Sequence, residues 1–210
     1  MKVGLFKMLK CQNLRKKVKG KIILDDVSFE LNRGERLGIK GDSGAGKSSL
    51  ALVISNLEKR DSGIVKIEGQ YYNHIDPKLL QIVFHNPLLS MNPFMKIKDT
   101  LLEASELGLS MLEELNLRES ILQHYPSELS GGELSKLSII RSVSVGPKIL
   151  IMDEAFASLD SANRELVYNF LKSFKDMTLI IISHNEDTIR KMCTQYAVME
   201  KGRLSRLYSI

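Results

Sequence analysis

Along the chain, short runs of apolar and β-branched residues alternate with stretches whose apolar positions recur at helical spacing. That texture predicts an α/β protein with a largely parallel sheet. Val27-Ser28-Phe29-Glu30-Leu31 alternates apolar with polar, the period of a strand with one covered face. Asn32-Arg33-Gly34-Glu35 turns the chain into a second strand, Arg36-Leu37-Gly38-Ile39, and Ile64-Val65-Lys66-Ile67 repeats the alternation before Gly69. Ile149-Leu150-Ile151-Met152 and Leu179-Ile180-Ile181-Ile182 are continuous apolar runs, which predict central strands covered on both faces. Groups that do chemistry should stand where such strands end, at Asp153-Glu154 and Ser183-His184.

From Asn92 to about Val143 the pattern changes. Leu101, Leu102, Leu107, Leu109, Leu112, Leu115 and Leu117 recur at roughly helical spacing among acidic residues, without a strand signal. Pro126 and the Gly131-Gly132 pair interrupt the run. The reading is a small helical insertion.

Composition changes this picture little. With 210 residues, 43% apolar and 26% charged, the chain fits one globular domain, or a core with an inserted subdomain. No apolar run approaches the ~18–20 residues needed to cross a bilayer. Met1 to Lys10 alternates apolar with basic residues and lacks the apolar core of a signal peptide. Cys11 and Cys193 form no metal-ligand pattern, so a reduced cytosolic setting with both thiols packed as small apolar groups is expected. The net charge of +5 is mild, and Lys16-Lys17-Val18-Lys19-Gly20-Lys21 lacks interleaved aromatics, so it reads as an exposed turn.

The chemistry lies elsewhere. Gly41-Asp42-Ser43-Gly44-Ala45-Gly46-Lys47-Ser48 matches G-x-x-x-x-G-K-S/T, between the strand at Arg36–Ile39 and the helix-compatible run Ser49–Ile54. Its glycines let the backbone curl until several N–H groups face one anion, and the following helix adds its positive end. The motif predicts a pocket for ATP or GTP, with Lys47 on the β- and γ-phosphates and the Ser48 hydroxyl on Mg²⁺. An aspartate at position 153 suits Mg²⁺, and Glu154 suits the base that deprotonates an attacking water. Two acids at a strand end also suit a helix N-cap; beside a phosphate loop the catalytic reading leads. His184 is placed to contact a γ-phosphate. Leu129-Ser130-Gly131-Gly132-Glu133, ahead of a helix starting near Leu134, reads as a second anion-binding element or as a glycine turn capping that helix.

Together these segments resemble the ATP-binding cassette (ABC) family over nearly the whole chain. They supply Walker A at Gly41–Ser48, the signature at Leu129–Glu133, Walker B at Ile149–Glu154, a D-loop at Ala157-Ser158-Leu159-Asp160 and a switch histidine at His184. His85-Asn86-Pro87-Leu88-Leu89-Ser90-Met91-Asn92-Pro93 is similar to the Q-D-P-x-x-S-L-N-P segment of the peptide and nickel importer branch, as is Tyr125-Pro126-Ser127-Glu128-Leu129-Ser130-Gly131-Gly132.

The resemblance implies one ABC ATPase domain over 1–210, a P-loop NTPase (RecA-like) core with a mainly parallel sheet. The core would span 1–91 and 143–210, with an N-terminal antiparallel β region, and 92–142 would be the helical subdomain. It implies ATP held by Gly41, Asp42, Ser43, Gly44, Ala45, Gly46, Lys47, Ser48 and Ser49, and Mg²⁺ held by Ser48, Asp153 and His85. Glu154 and His184 would be catalytic, while Ser130, Gly131, Gly132 and Glu133 would contact a nucleotide held by a partner chain. Implied partners are a second ABC ATPase subunit, identical or not, integral membrane permease subunits and, indirectly, an extracytoplasmic substrate-binding protein. No nucleic acid is expected. The implied place is the cytoplasmic face of the cell membrane, and the implied cargo a small peptide, nickel or a metal–chelator complex.

Three residues depart from the family pattern. His85 stands where glutamine is usual, Val18 where an aromatic stacks on adenine, and Glu133 where the signature has glutamine. Losing the stack implies base recognition weaker by about 1 kcal/mol. Two other readings follow: a soluble ABC-type ATPase acting on nucleic acid or the ribosome, and a weakly hydrolysing regulatory subunit.

Overall fold

The computed structural model describes residues 7–72 and 74–210; the first six residues of the stretch read for leader character lie outside them. The strands, in chain order, are β1 (Leu9–Val18), β2 (Lys21–Leu31), β3 (Arg36–Lys40), β4 (Ser62–Ile67), β5 (Leu80–Val83), β6 (Ile149–Asp153), β7 (Thr178–Ile182), β8 (Gln195–Glu200), β9 (Arg203–Leu204) and β10 (Tyr208–Ser209). The α-helices are α1 (Lys47–Ile54), α2 (Ile97–Ala104), α3 (Leu107–Ser110), α4 (Gly131–Ser144), α5 (Ser161–Ser173) and α6 (Glu186–Met192). The chain divides into two compact units, one of residues 1–76 and 176–210, the other of residues 77–175.

In the first unit, β2, β1 and β4 form an antiparallel sheet, with Leu9 opposite Leu31 and Ile67, and Cys11 opposite Phe29 and Val65. These residues lie on the buried face, so the period-two alternation read at 27–31 and 64–67 marks the covered side. Lys19 (φ 49°) and Gly20 (φ 81°) make the two-residue hairpin turn between β1 and β2. The basic stretch is therefore a hairpin tip, as expected, and Lys16 is tied down there by the Lys59 carbonyl at 2.6 Å.

The same unit carries the ladder β10-β8-β3-β7. β3 runs parallel to both β7 and β8, pairing Ile39 with Ile182 and with Ala197. β7 is buried along its whole length, which explains its unbroken apolar sequence. Cys11 and Cys193 are buried free thiols, and burial pushes the Cys193 pKa up to about 12 and that of Cys11 further still. Both act as small apolar groups.

In the second unit β5 and β6 pair in parallel, Leu80 with Ile149 and Val83 with Met152. Each fully buried side chain of β6 contributes about 2 kcal/mol by area. The insertion is helical, but in short pieces: α2, α3 and 3₁₀ turns at Glu113–Leu115, Glu119–Gln123 and Pro126–Glu128. Asn116, left-handed at φ 51°, ends the first of these turns, and Pro126 opens the last. Leu101, Leu112, Leu115 and Leu117 are buried, whereas Leu102 and Leu107 face solvent. α4 begins at Gly131, three residues before the position expected from the apolar pattern, because the Ser130 side chain caps it. No helix among the described residues is long and apolar enough to cross a membrane.

Candidate functional site

The phosphate loop grows out of β3. Gly41 sits at φ 146°, where a Cβ would overlap the Met199 carbonyl oxygen, and Gly46 at φ 107°, where one would stand 2.6 Å from the Ile23 carbonyl oxygen. Only glycine fits either position. The loop is stitched down as well: Gly202 donates its amide to the Ala45 carbonyl at 2.9 Å, and Asp25 donates to the Gly202 carbonyl at 2.8 Å.

α1 starts at Lys47 with no acidic residue in its first turn. Its leading amides lack intrahelical acceptors, and its positive end is not neutralised, so both are available to an anion. Lys47 is buried, and its ammonium donates to the carbonyls of Gly41 at 2.7 Å and Asp42 at 2.9 Å. His184, exposed just past β7, brings Nε2 to 3.4 Å from that ammonium. Gly41, Asp42, Lys47 and His184, predicted from distant parts of the sequence, thus meet within one unit. Ser48 is exposed at the start of α1, and Ser49 follows it, half-buried.

Asp153 closes β6 with only 7% exposure, and its Oδ1 is buried without a hydrogen-bond partner. A buried polar oxygen left this way is costly unless a cation or donor meets it. A hard cation such as Mg²⁺ would satisfy this one oxygen. No cluster of three or more His, Cys, Asp and Glu that could hold a metal occurs among the described residues. A cation here would complete its shell with water and phosphate oxygens, the usual habit of Mg²⁺. Glu154 turns the chain out of β6 in the left-handed region at φ 53°, a conformation that costs a non-glycine residue of order 1–3 kcal/mol. His85 is exposed in the bend after β5, next to Asn86, whose Oδ1 caps the Pro87–Ser90 turn through the Leu88 amide at 3.1 Å.

At the head of α4 the signature residues form a closed capping box. Ser130 Oγ accepts from the Glu133 amide at 3.3 Å, while Glu133 Oε2 accepts from the Ser130 amide at 2.9 Å and the Ser130 hydroxyl at 2.7 Å. The bonds from the Ser130 side chain and backbone hold the Glu133 carboxyl below its usual pKa, so it stays ionised. Gly131 and Gly132 are different from the loop glycines: the nearest atoms to an added Cβ would be Ser158 Cβ at 3.7 Å and the Ser158 carbonyl oxygen at 3.8 Å. Val18, 43% exposed, sits at the hairpin tip and offers only an aliphatic surface.

Sequence reading missed Ser135 and Lys136. The Ser135 and Ser158 hydroxyls meet at 2.5 Å, and Ser158 also donates to the Gly131 carbonyl at 3.4 Å. The available signal was a polar pair inside the apolar run from Leu134 to Ile140.

A family model described as ABC transporter matches residues 24–157, well over half of the chain. The chain belongs to the ABC transporter family. It carries that family's ATPase domain, as the resemblance implied. This cassette is 30% identical over 215 residues to the methionine import ATP-binding protein MetN of Legionella pneumophila, covering 94% of this chain and 63% of that protein. It is 32% identical over 202 residues to the dipeptide transport ATP-binding protein DppF of Haemophilus influenzae, covering 86% and 62%. The cassette thus spans somewhat less than two thirds of the length of these relatives. A dimeric ATP-binding cassette solved in a post-hydrolysis state with ADP and Pi superposes with a TM-score of 0.86 at 23% identity, covering 96% of this chain and 98% of that one. That likeness shows the fold, an α/β cassette with its antiparallel β region.

Proposed function

We propose that this cassette binds and hydrolyses ATP as the energy-supplying subunit of an importer, working as a dimer on partner permease subunits at the cytoplasmic face of the membrane. The observation that carries the reading is the buried Lys47 ammonium held by the carbonyls of a glycine-rich turn, at the start of a helix with no acid in its first turn. A triphosphate would replace the loop carbonyls as the partner of that ammonium, with Gly41 to Ser49 wrapping its oxygens. Glu154 takes the proton of the attacking water, and His184 steadies the γ-phosphate from beside Lys47. Ser48, Asp153 and His85 would hold Mg²⁺, which neutralises charge on the phosphates when bound.

The dimer reading is supported by Gly131 and Gly132. Among the described residues nothing crowds either position, so close approach by another body would account for them. In this proposal that body is the partner's nucleotide, approached also by Ser130 and Glu133. The helical insertion at 92–142, where Phe94 is 88% exposed, and the segment after Phe84 would form the groove that receives the permease. A small cargo of the peptide, nickel or metal–chelator class is retained; the dipeptide name of one relative supports its peptide member, and neither relative's name speaks for nickel.

A second reading, slow turnover, is favoured by one contact: the Glu133 carboxylate already occupies the Ser130 hydroxyl and amide. Glu154→Gln tests the main reading. The variant should bind ATP as the parent does and remain a closed dimer in light scattering with Mg-ATP. Hydrolysis at the parental rate would remove Glu154 as the base, and a persistent monomer beside its permease would remove the dimer.

A further inference from the structure

Lys136 is the buried charged side chain that the reaction described above does not use. It sits in the second turn of α4, only 6% exposed, between the buried residues Ser135 and Leu137. Its ammonium donates to the Leu115 carbonyl at 3.0 Å and to Asn163 Oδ1 at 3.1 Å. Asn163 is fixed in turn, donating its side-chain amide to Asp160 Oδ2 and its backbone amide to Asp160 Oδ1, both at 2.8 Å. Burial pulls the Lys136 pKa below its usual value, while Glu133 and Asp160 pull the other way. An aliphatic residue of similar volume would fill this space without the cost of burying a charge. Packing alone therefore does not account for a lysine.

Its bonds join three segments with separate roles. Leu115 is the last residue of the turn Glu113–Leu115 in the helical insertion. α4 carries Ser130 at its head. Asn163 and Asp160 belong to the segment that leaves the acid pair Asp153-Glu154, and the Ser135–Ser158 contact fastens α4 to that segment a second time. We propose that Lys136 is a positioning residue for ATP hydrolysis, a strut that fixes the Ser130 arm against the segment following Glu154 and against the insertion at Leu115. The strut makes what the cassette offers its partner's nucleotide and the placement of its own hydrolytic acid parts of one adjustment. This rests on the dimeric ATPase reading above.

The test separates binding from turnover, because the phosphate loop is remote in sequence from every atom of the strut. In the full chain, Lys136→Met should leave the ATP dissociation constant within about twofold, while kcat falls at least about tenfold, the loss of one charge-assisted contact. Lys136→Arg keeps a cation with several donors and should return kcat to within about threefold of the parent. Ser158→Ala, which removes only the second fastening, should lower kcat by a smaller factor. A folded Lys136→Met protein with parental kcat overturns the strut, as does an equal loss of affinity and turnover, or a loss that arginine does not restore. Should the methionine variant fail to fold, Asn163→Ala and Ser158→Ala both turning over at the parental rate would overturn it instead. An unsubstituted chain that binds no ATP would fail earlier and differently, removing the nucleotide reading and the strut with it.

Discussion

At Gly41 and Gly46 a side chain would run into the cassette's own backbone, whereas at Gly131 and Gly132 it would meet none of the described residues closer than 3.7 Å. The two glycine motifs look alike in sequence, each at the start of a helix: Gly46 just before α1, Gly131 and Gly132 as the first residues of α4. Their surroundings differ in a second way: α1 begins without an acid in its first turn, while α4 begins with Glu133 folded onto Ser130. The first turn is therefore glycine because its own fold demands it, and it leaves the start of α1 open to the triphosphate proposed above. The second is closed on itself by the Ser130–Glu133 box, and its glycines answer to the partner's nucleotide only in the dimer proposed above. A glycine-rich motif does not by itself say whether the fold or a ligand requires it; the space around each Cα does.

Removing the charge from the open turn should give the largest effect. Lys47→Ala takes away the ammonium expected to meet the phosphates, about 3 kcal/mol of charge-assisted bonding and roughly a hundredfold in ATP affinity by titration calorimetry. An unchanged dissociation constant would break the contrast at its stronger end.

Next come the glycines themselves. Gly41→Ala should cost about 2 kcal/mol from backbone strain and the clash with Met199, lowering the melting temperature by roughly 4–8 °C. Gly132→Ala should do the opposite to stability, leaving the melting temperature level or up by about 2 °C through better helix propensity. Yet it should weaken Mg-ATP-driven dimerisation by about tenfold, read by analytical ultracentrifugation. If both variants lose stability equally, the distinction between the two turns fails.

The smallest effect belongs to Glu133. Glu133→Gln keeps an acceptor for the cap but removes the charge that the proposed dimer brings near the partner's nucleotide, so dimerisation with Mg-ATP should tighten by about threefold, with stability at neutral pH changed by less than about 1 kcal/mol. The pH response sharpens the point. Ser130 holds the Glu133 carboxyl below its usual pKa, so the cap contributes fully above the unfolded value near 4.5 and is lost as pH falls through the lower folded one. An acid melting series should show that loss in the parent and not in Glu133→Gln.

Much of this was legible from local pattern. β2, β3, β4, β6 and β7 announce themselves because their apolar periods report how many faces are covered. β1, β5 and β8 do not. β1 carries register irregularities between Cys11 and Lys17 that break its alternation, and β5 is only four residues long. In the insertion, leucine spacing gave the helical character but not the short pieces, since Asn116 ends a turn by adopting a left-handed backbone that its neighbours select.

The sequence by itself determined the phosphate loop, the acids at the end of β6 and the family, because each depends on residue types at fixed short spacing. Only the tertiary structure decided that Lys47 and His184 meet at 3.4 Å, that Gly41 must be glycine, and that Lys136 spans three segments. Those facts depend on which atoms folding brings within reach, from 21 residues apart for Lys136 and Leu115 to 137 for Lys47 and His184, and such contacts leave no periodic trace in the chain.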